Sequence, residues 1–154
     1  MVRDKWRKFL IALLLPQAAG ALAGLVTVRS VSQWYQHLNK PAFTPPDGVF
    51  GPVWGVLYLM MGMASFLVWM GEKGTSLFRF YLIHLFFNFL WSILFFGLRS
   101  PFLAFLDIIV LWLMIGGMVF LFWKSSRGAS VLLVPYWCWV SFAAGLNYAI
   151  WRMN

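Results

Sequence analysis

Apolar positions along this chain fall into long blocks that are separated by short polar connections. Five runs of about 20 residues carry almost no charge, namely 9–28, 48–71, 80–98, 101–123 and 128–151. An α-helix needs about this length to cross the hydrocarbon core of a bilayer. Because lipid offers the backbone no hydrogen-bond partners, each run must satisfy its own backbone as a helix. The pattern predicts an all-α membrane protein, with residues 1–154 forming a single five-helix transmembrane domain.

The composition supports a membrane protein and limits the kinds of partner that the chain can bind. The chain is 62% hydrophobic and 10% charged, with a mean hydropathy of +0.80, whereas a soluble domain carries about 25% charged residues. The net charge is +8, but the basic residues lie between the apolar blocks and form no stripe. We therefore expect membrane lipid as their partner and no nucleic acid. Cys138 is the single cysteine, which excludes an intrachain disulfide and a thiolate metal cluster.

The basic residues also predict how the chain crosses the membrane. The N-terminus and the second and fourth connections share one side, and they carry more Lys and Arg than the opposite side. This excess places the N-terminus inside and the C-terminus outside. A cleavable signal peptide is the alternative for the first run, since Ala21-Leu22-Ala23 would suit a cleavage site. The run continues to Val28, which is long enough to span and favours a helix.

The longest connection, the lid loop at 29–47, is expected to have structure of its own. Its first part, Ser30–Gln33, fits a capping box and predicts a short helix after it. Its second part contains three prolines that hold the chain extended before the second span, namely Pro41, Pro45 and Pro46. Because Trp54 lies one turn inside that span, a stiff lid would cover a tryptophan. This arrangement suggests a ligand chamber.

Polar side chains inside the spans need partners and so mark faces that point into the bundle. On the third span they recur at helical spacing as Tyr81, His84, Asn88 and Ser92, and on the fifth as Tyr136 and Asn147 with Ala143 between them. These stripes should face one another, either to hold the bundle together or to line a pocket. The tryptophans deep in the spans also allow two interpretations, because they either fill the core or line a cavity. They are Trp54, Trp91, Trp112, Trp137 and Trp139.

Asp107 is the one acid inside a span, and it is expected to be protonated or paired with Arg99 or Arg152. A proton-coupled transporter would also use such a residue. His37 and His84 lack a second ligand at helical spacing, so structural roles are favoured over metal or haem ligation. The sequence shows no nucleophile–base pair, paired carboxylates or phosphate-binding loop, and hence no conventional catalytic site.

Two further patterns concern packing and lipid. Gly20-x-x-x-Gly24 and Gly51-x-x-x-Gly55 predict close contacts between helices. The segment Leu146–Arg152, with Tyr148 at its centre, matches the loose cholesterol-contact pattern, which is common by chance.

Four segments of the chain form a joint pattern. They are Trp34-Tyr35 with Asn39-Lys40-Pro41 and Pro45-Pro46; Val49–Trp54 with Leu57-Tyr58 and Met61-Gly62; Asn88–Ser92 with Phe95-Phe96-Gly97; and Pro135-Tyr136-x-x-Trp139-Val140 with Leu146-Asn147-x-x-Ile150-Trp151. Together they resemble the translocator protein family, whose members are also called tryptophan-rich sensory proteins or peripheral-type benzodiazepine receptors. Phe43 departs from the pattern, because the family has a tryptophan there.

The resemblance implies a five-helix bundle, often a homodimer, with a pocket beneath the first long loop. It implies binding of porphyrins or haem-type tetrapyrroles, sterols and benzodiazepine-type ligands, without a required cofactor, and a role in porphyrin handling or stress sensing. A bacterial cytoplasmic membrane is the expected location, or the mitochondrial outer membrane if the source is eukaryotic. The alternative hypothesis is a small transporter of lipophilic or porphyrin substrates with Asp107 as proton relay.

The resemblance also implies roles for individual residues. The expected ligand contacts, with Asn147 added from the polar stripe, are Tyr35, Pro45, Trp54, His84, Asn88, Trp139, Ala143 and Asn147. Leu146, Tyr148 and Arg152 match the family's sterol-contact segment. Trp54 and Trp139 would be the residues involved if light- and oxygen-dependent porphyrin degradation occurs.

Overall fold

The computed structural model describes residues 2–154, and within this range it consists of helices and short connections, with no strand. The five long helices are α1 (Val2–Gln33), α2 (Asp47–Trp69), α3 (Gly74–Ser92), α4 (Pro101–Ser125) and α5 (Arg127–Met153). A π-helical turn, Ile93–Gly97, continues α3, and a 3₁₀ turn, Tyr35–His37, lies between α1 and α2. Within the described residues, five helices are long and apolar enough to cross a membrane.

The first helix extends beyond the apolar run at both ends. At its start, Asp4 and Lys8 form an i, i+4 ion pair of 3.7 Å on the polar first turns. The predicted helix cap at Ser30 is wrong, because Ser30 lies inside α1 and its hydroxyl donates to the carbonyl oxygen of Phe96 at 2.6 Å. That carbonyl belongs to a last helical turn, where carbonyls lack intrahelical partners. The connection to α2 is thereby shortened to residues 34–46.

The last two helices begin at serine caps. The hydroxyl of Ser100 accepts from the Leu103 amide at 3.4 Å, and that of Ser126 accepts from the Ala129 amide at 3.3 Å. Pro101 occupies the first turn of α4, where its missing N–H costs nothing. These caps explain why the connections at 98–100 and 126 can be so short.

The helices surround one another in the spatial order α1–α2–α5–α4–α3, and α3 closes the ring onto α1. At the end of the bundle near residues 70–73 and 126, called the N-terminal end below, packing is close: the rings of Trp69 and Phe78 stack at 3.8 Å. The opposite end, called the C-terminal end, holds the connections 34–46 and 98–100 and residue 154.

Of the close helix contacts predicted at the two glycine pairs, only the one at Gly20 is formed. A Cβ at Gly20 would collide with the ring of Tyr58, so close packing occurs there as predicted. Gly24, Gly51 and Gly55 have no atom within 4 Å of the Cβ position. The backbones of α1 and α2 meet instead at Gly62, where a Cβ would lie 2.8 Å from the Ala12 carbonyl oxygen.

Candidate functional site

A cavity of about 540 Å³, called the chamber below, lies in the half of the bundle nearest the C-terminal end. This volume falls within the range of about 300–1,000 Å³ typical of small-molecule sites. All five helices contribute to its wall. The open space beside Gly24, Gly51 and Gly55 lies in this wall. These small residues leave the chamber open where α1 and α2 diverge from their contact at Gly62.

The wall carries three indole rings, each from a different helix. Trp54 comes from α2, Trp91 from α3 and Trp139 from α5. Each packs against a neighbouring aromatic ring, with centroid distances of 5.4 Å from Trp54 to Tyr58, 5.1 Å from Trp91 to Phe95 and 5.9 Å from Trp139 to Phe50. A flat aromatic ligand would therefore meet rings that are already held in place.

A chain of hydrogen bonds crosses the deep end of the chamber. The Tyr58 hydroxyl donates to Asn88 Oδ1 at 3.0 Å, and Asn88 Nδ2 donates to the Tyr136 hydroxyl oxygen at 2.9 Å. His84 Nε2 lies 2.8 Å from the same hydroxyl oxygen. The prediction that the polar stripes of the third and fifth spans face one another is confirmed by these contacts. Tyr58 and Asn88 reach the chamber, whereas His84 has no exposed surface and lies behind Tyr136.

A second polar contact fixes the wall on the side of α3. The indole N–H of Trp91 donates to Asn147 Oδ1 at 3.0 Å, and Asn147 Nδ2 donates to the Pro101 carbonyl oxygen at 2.8 Å. Asn147 thus links α3, α4 and α5. With both ends of its amide bonded, it holds the Trp91 ring in one position.

The mouth of the chamber lies under the connection 34–46. Tyr35 and Asp47 line it, and Lys40 Nζ sits 4.4 Å from the centroid of the Tyr35 ring. Burial, with a smaller contribution from the Asp47 carboxylate, raises the pKa of Tyr35 to about 12, so this phenol keeps its proton into a more alkaline range than an ordinary tyrosine does.

The connection is tied to the end of α5. The Asn39 amide N–H donates to Asn154 Oδ1 at 3.0 Å, and Asn154 Nδ2 donates to the Asn39 carbonyl oxygen at 2.9 Å. Asn39 Nδ2 donates in turn to the Met153 carbonyl oxygen at 3.3 Å. The segment over the mouth is therefore held from one side by the last residues of α5.

Most of the ligand contacts expected from the sequence come together in the chamber. Tyr35, Trp54, Asn88, Trp139, Ala143, Asn147 and the sterol-segment residue Leu146 all line it. Pro45 lies in the connection just before α2, and His84 lies behind Tyr136. Tyr148 and Arg152 lie on the outer surface, where both pack against Trp151.

The contribution of α1 to the chamber wall is larger than the sequence pattern predicts. Gly24, Thr27 and Val31 of α1 line the chamber, as do Asp47 and Phe50 of α2. The α1 residues follow one another at spacings of three and four, which places them on one helical face. This spacing is visible in the sequence, but a pattern such as Gly20-x-x-x-Gly24 is equally typical of a contact between helices.

The deep tryptophans divide into two groups. Trp54, Trp91 and Trp139 line the chamber, whereas Trp112 and Trp137 pair with each other between α4 and α5 at 5.2 Å. The indole N–H of Trp112 donates to the Ser141 hydroxyl at 2.7 Å. Those two rings serve packing.

Asp107 is buried, with 6% of its surface exposed, and neither carboxylate oxygen has a hydrogen-bond partner within the described chain. The expected pairing with Arg99 or Arg152 is not formed, since Asp4–Lys8 is the one ion pair among residues 2–154. In the same range, no three His, Cys, Asp or Glu side chains come together as metal ligands.

Five apolar helices around an aromatic chamber define an integral membrane protein. Comparison with known sequences gives the same class and narrows it. The chain belongs to the TspO/MBR family, whose sequence profile matches residues 12–152. The resemblance carried by the four segments is thereby confirmed.

Individual relatives cover most of the chain. It is 38% identical over 151 residues to the tryptophan-rich protein TspO of Archaeoglobus fulgidus, covering 96% of this chain and 97% of that protein. It is 36% identical over 149 residues to the tryptophan-rich sensory protein of Cereibacter sphaeroides, covering 97% and 92%. It is 37% identical over 127 residues to the translocator protein of Homo sapiens, covering 79% and 75%.

Proposed function

We propose that the protein binds tetrapyrroles in the chamber, together with sterol- or benzodiazepine-type hydrophobic ligands, and acts in porphyrin handling or stress sensing. The observation that carries this proposal is the group of three indoles around one cavity of about 540 Å³. Extended aromatic ligands gain most from such walls, because they bury a large apolar area and stack on the rings.

The charges at the mouth suggest the orientation of a porphyrin. The macrocycle would stack on Trp54 and Trp139, with its carboxylates directed outwards. Asp47 would repel them, so they are expected on the side of Lys40. The described chamber wall contains no histidine or cysteine, and His84 is screened by Tyr136. We therefore expect metal-free protoporphyrin and haem to bind with similar affinity.

The test is a titration of the purified protein with protoporphyrin, followed by the shift in porphyrin absorption. In Trp54→Phe and Trp139→Phe the dissociation constant should rise by up to about 10-fold, since Phe keeps only part of the indole's stacking surface and a whole aromatic contact contributes about 0.5–1.5 kcal/mol. Trp6→Phe and Trp123→Phe are the matched controls, because both indoles are exposed at the N-terminal end. Equal affinities in all four variants would contradict stacking in the chamber.

Degradation of the bound porphyrin by light and oxygen belongs to the same proposal. A photoexcited macrocycle in contact with indoles can pass its energy to dioxygen, and both the ring and the indoles can then be oxidised. When the porphyrin complexes are illuminated in air at equal porphyrin occupancy, the porphyrin absorption should bleach faster in the wild type than in Trp54→Phe or Trp139→Phe. Bleaching that is equally fast in the variants would limit the function to binding.

Asp107 favours a second candidate function, transport of a lipophilic or porphyrin substrate. Its carboxylate is buried in a span without a partner in the described chain, as expected of a group that takes up and releases a proton. Flux in liposomes should respond to a pH gradient and lose that response in Asp107→Asn. An unchanged response in this variant would rule out Asp107 as the relay.

The location and assembly are part of the proposal. A bacterial cytoplasmic membrane is the proposed location. The excess of basic residues at the N-terminal end supports an orientation with the N-terminus inside and the chamber mouth outside. A homodimer is proposed by analogy with the family. Labelling of an Asn154→Cys variant, made without Cys138, from the outside of spheroplasts tests the orientation, and cross-linking in the membrane tests the dimer.

A further inference from the structure

A second groove, of about 530 Å³, lies on the outside of the bundle at the C-terminal end. It runs between the last turns of α1 and the π-helical turn after α3. Its floor is apolar and includes Leu25, Val26 and Phe96, and its outer end carries Arg29, Gln33 and Arg99. We call it the arginine groove. Phe96 borders both this groove and the chamber, so the two are separate sites on opposite sides of one wall.

The two arginines of the groove have no carboxylate to neutralise them. Arg99 Nη2 donates to Gln33 Oε1 at 3.4 Å, a contact with a neutral amide. Among the described residues the one ion pair is Asp4–Lys8, at the other end of the bundle. Two like charges on one groove repel each other, and an anion bound between them would remove that repulsion.

The backbone conformation of the turn at Arg99 does not favour an arginine. Its φ is 53°, and it is the one non-glycine residue of the described chain with a positive φ. Glycine or asparagine adopts this conformation with less strain. Strained conformations of this kind tend to persist at functional positions. A long cationic side chain at such a position points to a role for the side chain itself.

The walls of the groove are also fixed to each other. The hydroxyl of Ser30 donates to the Phe96 carbonyl oxygen at 2.6 Å, which joins α1 to the π-helical turn. The groove is therefore formed without a ligand, so binding costs little conformational entropy in its walls.

We propose that the arginine groove binds the headgroup of an anionic phospholipid. Arginine forks match phosphate oxygens, and both arginines lie at the polar ends of apolar spans, at the level of lipid headgroups. The apolar floor continues onto the lipid-facing side of α1, where Leu22 and Leu25 are 56% and 70% exposed. A lipid fits both features, because its phosphate bonds Arg29 and Arg99 while an acyl chain covers Leu25 and Val26. Free phosphate would use the arginines alone.

The test uses the full-length protein in nanodiscs of phosphatidylcholine with a minor fraction of phosphatidylglycerol. Phosphatidylglycerol retained on the purified protein is measured by mass spectrometry. Retention should fall about tenfold in the double variant Arg29→Gln/Arg99→Gln, since hydrogen bonds to charged groups are strong. Arg79→Gln should retain as much as wild type, because Arg79 is an exposed arginine at the N-terminal end, outside the groove. Equal retention in both would overturn the proposal.

Two further variants separate binding from folding. Arg99→Gly should unfold at the same or a higher temperature, because the turn favours glycine, and yet retain several-fold less phosphatidylglycerol. Arg99→Lys keeps the charge without the fork and should retain an intermediate amount. Lipid retention that is unchanged in Arg99→Gly would overturn the role of the guanidinium.

Glycerol phosphate identifies the source of the anion. It carries the phosphate without the acyl chains, so it should compete with phosphatidylglycerol only at a large excess. Competition at equal concentration would overturn the lipid assignment in favour of a soluble phosphate compound. These outcomes do not depend on what occupies the chamber.

Discussion

The ring of Tyr58 occupies the space that a side chain at Gly20 would need. A Cβ at Gly20 would lie 2.7 Å from Tyr58 Cδ2, which is closer than real contacts allow. The same tyrosine donates its hydroxyl hydrogen bond to Asn88 at the deep end of the chamber. The absence of a side chain at Gly20 therefore leaves room for the Tyr58 ring, whose hydroxyl group lies in the wall of the chamber.

Gly20→Ala should destabilise the protein and disturb the chamber. The added methyl group forces the Tyr58 ring away from α1, and overpacking of this kind costs about 1–3 kcal/mol. Thermal unfolding and protoporphyrin affinity are the measurements. Gly24→Ala is the matched control for stability, because no atom of another helix lies within 4 Å of its Cβ position. An equal loss of stability in both variants would contradict a specific clash with the tyrosine, because Gly→Ala by itself favours the helix.

Tyr136→Phe should lower the free energy of unfolding by about 1–3 kcal/mol with little change in volume. The hydroxyl is the partner of Asn88 Nδ2 and of His84 Nε2, and both groups are buried. Removing it leaves two polar groups unsatisfied. Tyr148→Phe is the control, because Tyr148 lies on the outer surface and is 48% exposed; it should change stability by less than about 0.5 kcal/mol. Denaturant unfolding in detergent measures both, and a similar small change in each would contradict this.

The helices and the inward polar residues could be predicted because a lipid environment restricts which residues can occupy each position. Charge-free runs and polar side chains such as Asn88 and Asn147 leave few alternatives in lipid. The end of the first helix could not be predicted in this way. Ser30 has a local cap pattern, but its hydroxyl bonds Phe96, which is distant in sequence. The tertiary hydrogen bond decides the role of Ser30, because the local sequence is the same whether the serine caps a helix or lies within one.

The chamber was predicted in part for a similar reason. Trp54 and Trp139 stand out as large residues, whereas the space itself depends on what is missing at Gly24, Gly51 and Gly55. Small residues at helical spacing fit either a tight crossing or a gap, and only the position of the facing helix separates the two.

Raising the pH from 10 to 12 should destabilise the wild type more than Tyr35→Phe. Burial and the Asp47 carboxylate raise the pKa of Tyr35 to about 12, compared with about 10 when unfolded. The unfolded state therefore loses this proton first, so the contribution of neutral Tyr35 to stability is complete below pH 10 and disappears as the pH rises towards 12. The measurement is unfolding against pH, with the tyrosinate absorption of both proteins. Parallel curves would contradict a raised pKa.

Asn154→Ala should loosen the connection over the chamber mouth. The variant loses the hydrogen bonds between the Asn154 side chain and the Asn39 backbone. A loss of about 1 kcal/mol corresponds to roughly fivefold faster hydrogen exchange in residues 34–46. Met153→Ala is the control, because Met153 offers only its backbone carbonyl to Asn39. Exchange that rises equally in both variants would assign the effect to fraying of α5.

Enlarging Ala143 should block the chamber without unfolding the protein. Ala143 lines the chamber on α5 beside the ring of Trp139, and in Ala143→Leu the added branched group would project into space that a macrocycle needs. Protoporphyrin affinity should fall at least tenfold. The unfolding temperature should fall only slightly, because Ala143 packs against the core on one side and the larger group can extend into the chamber on the other. Ala18→Leu adds the same volume to an exposed position of α1 and should bind as wild type does. If Ala143→Leu also bound protoporphyrin normally, the macrocycle would have to occupy a site outside the chamber, and the three indoles would serve packing alone.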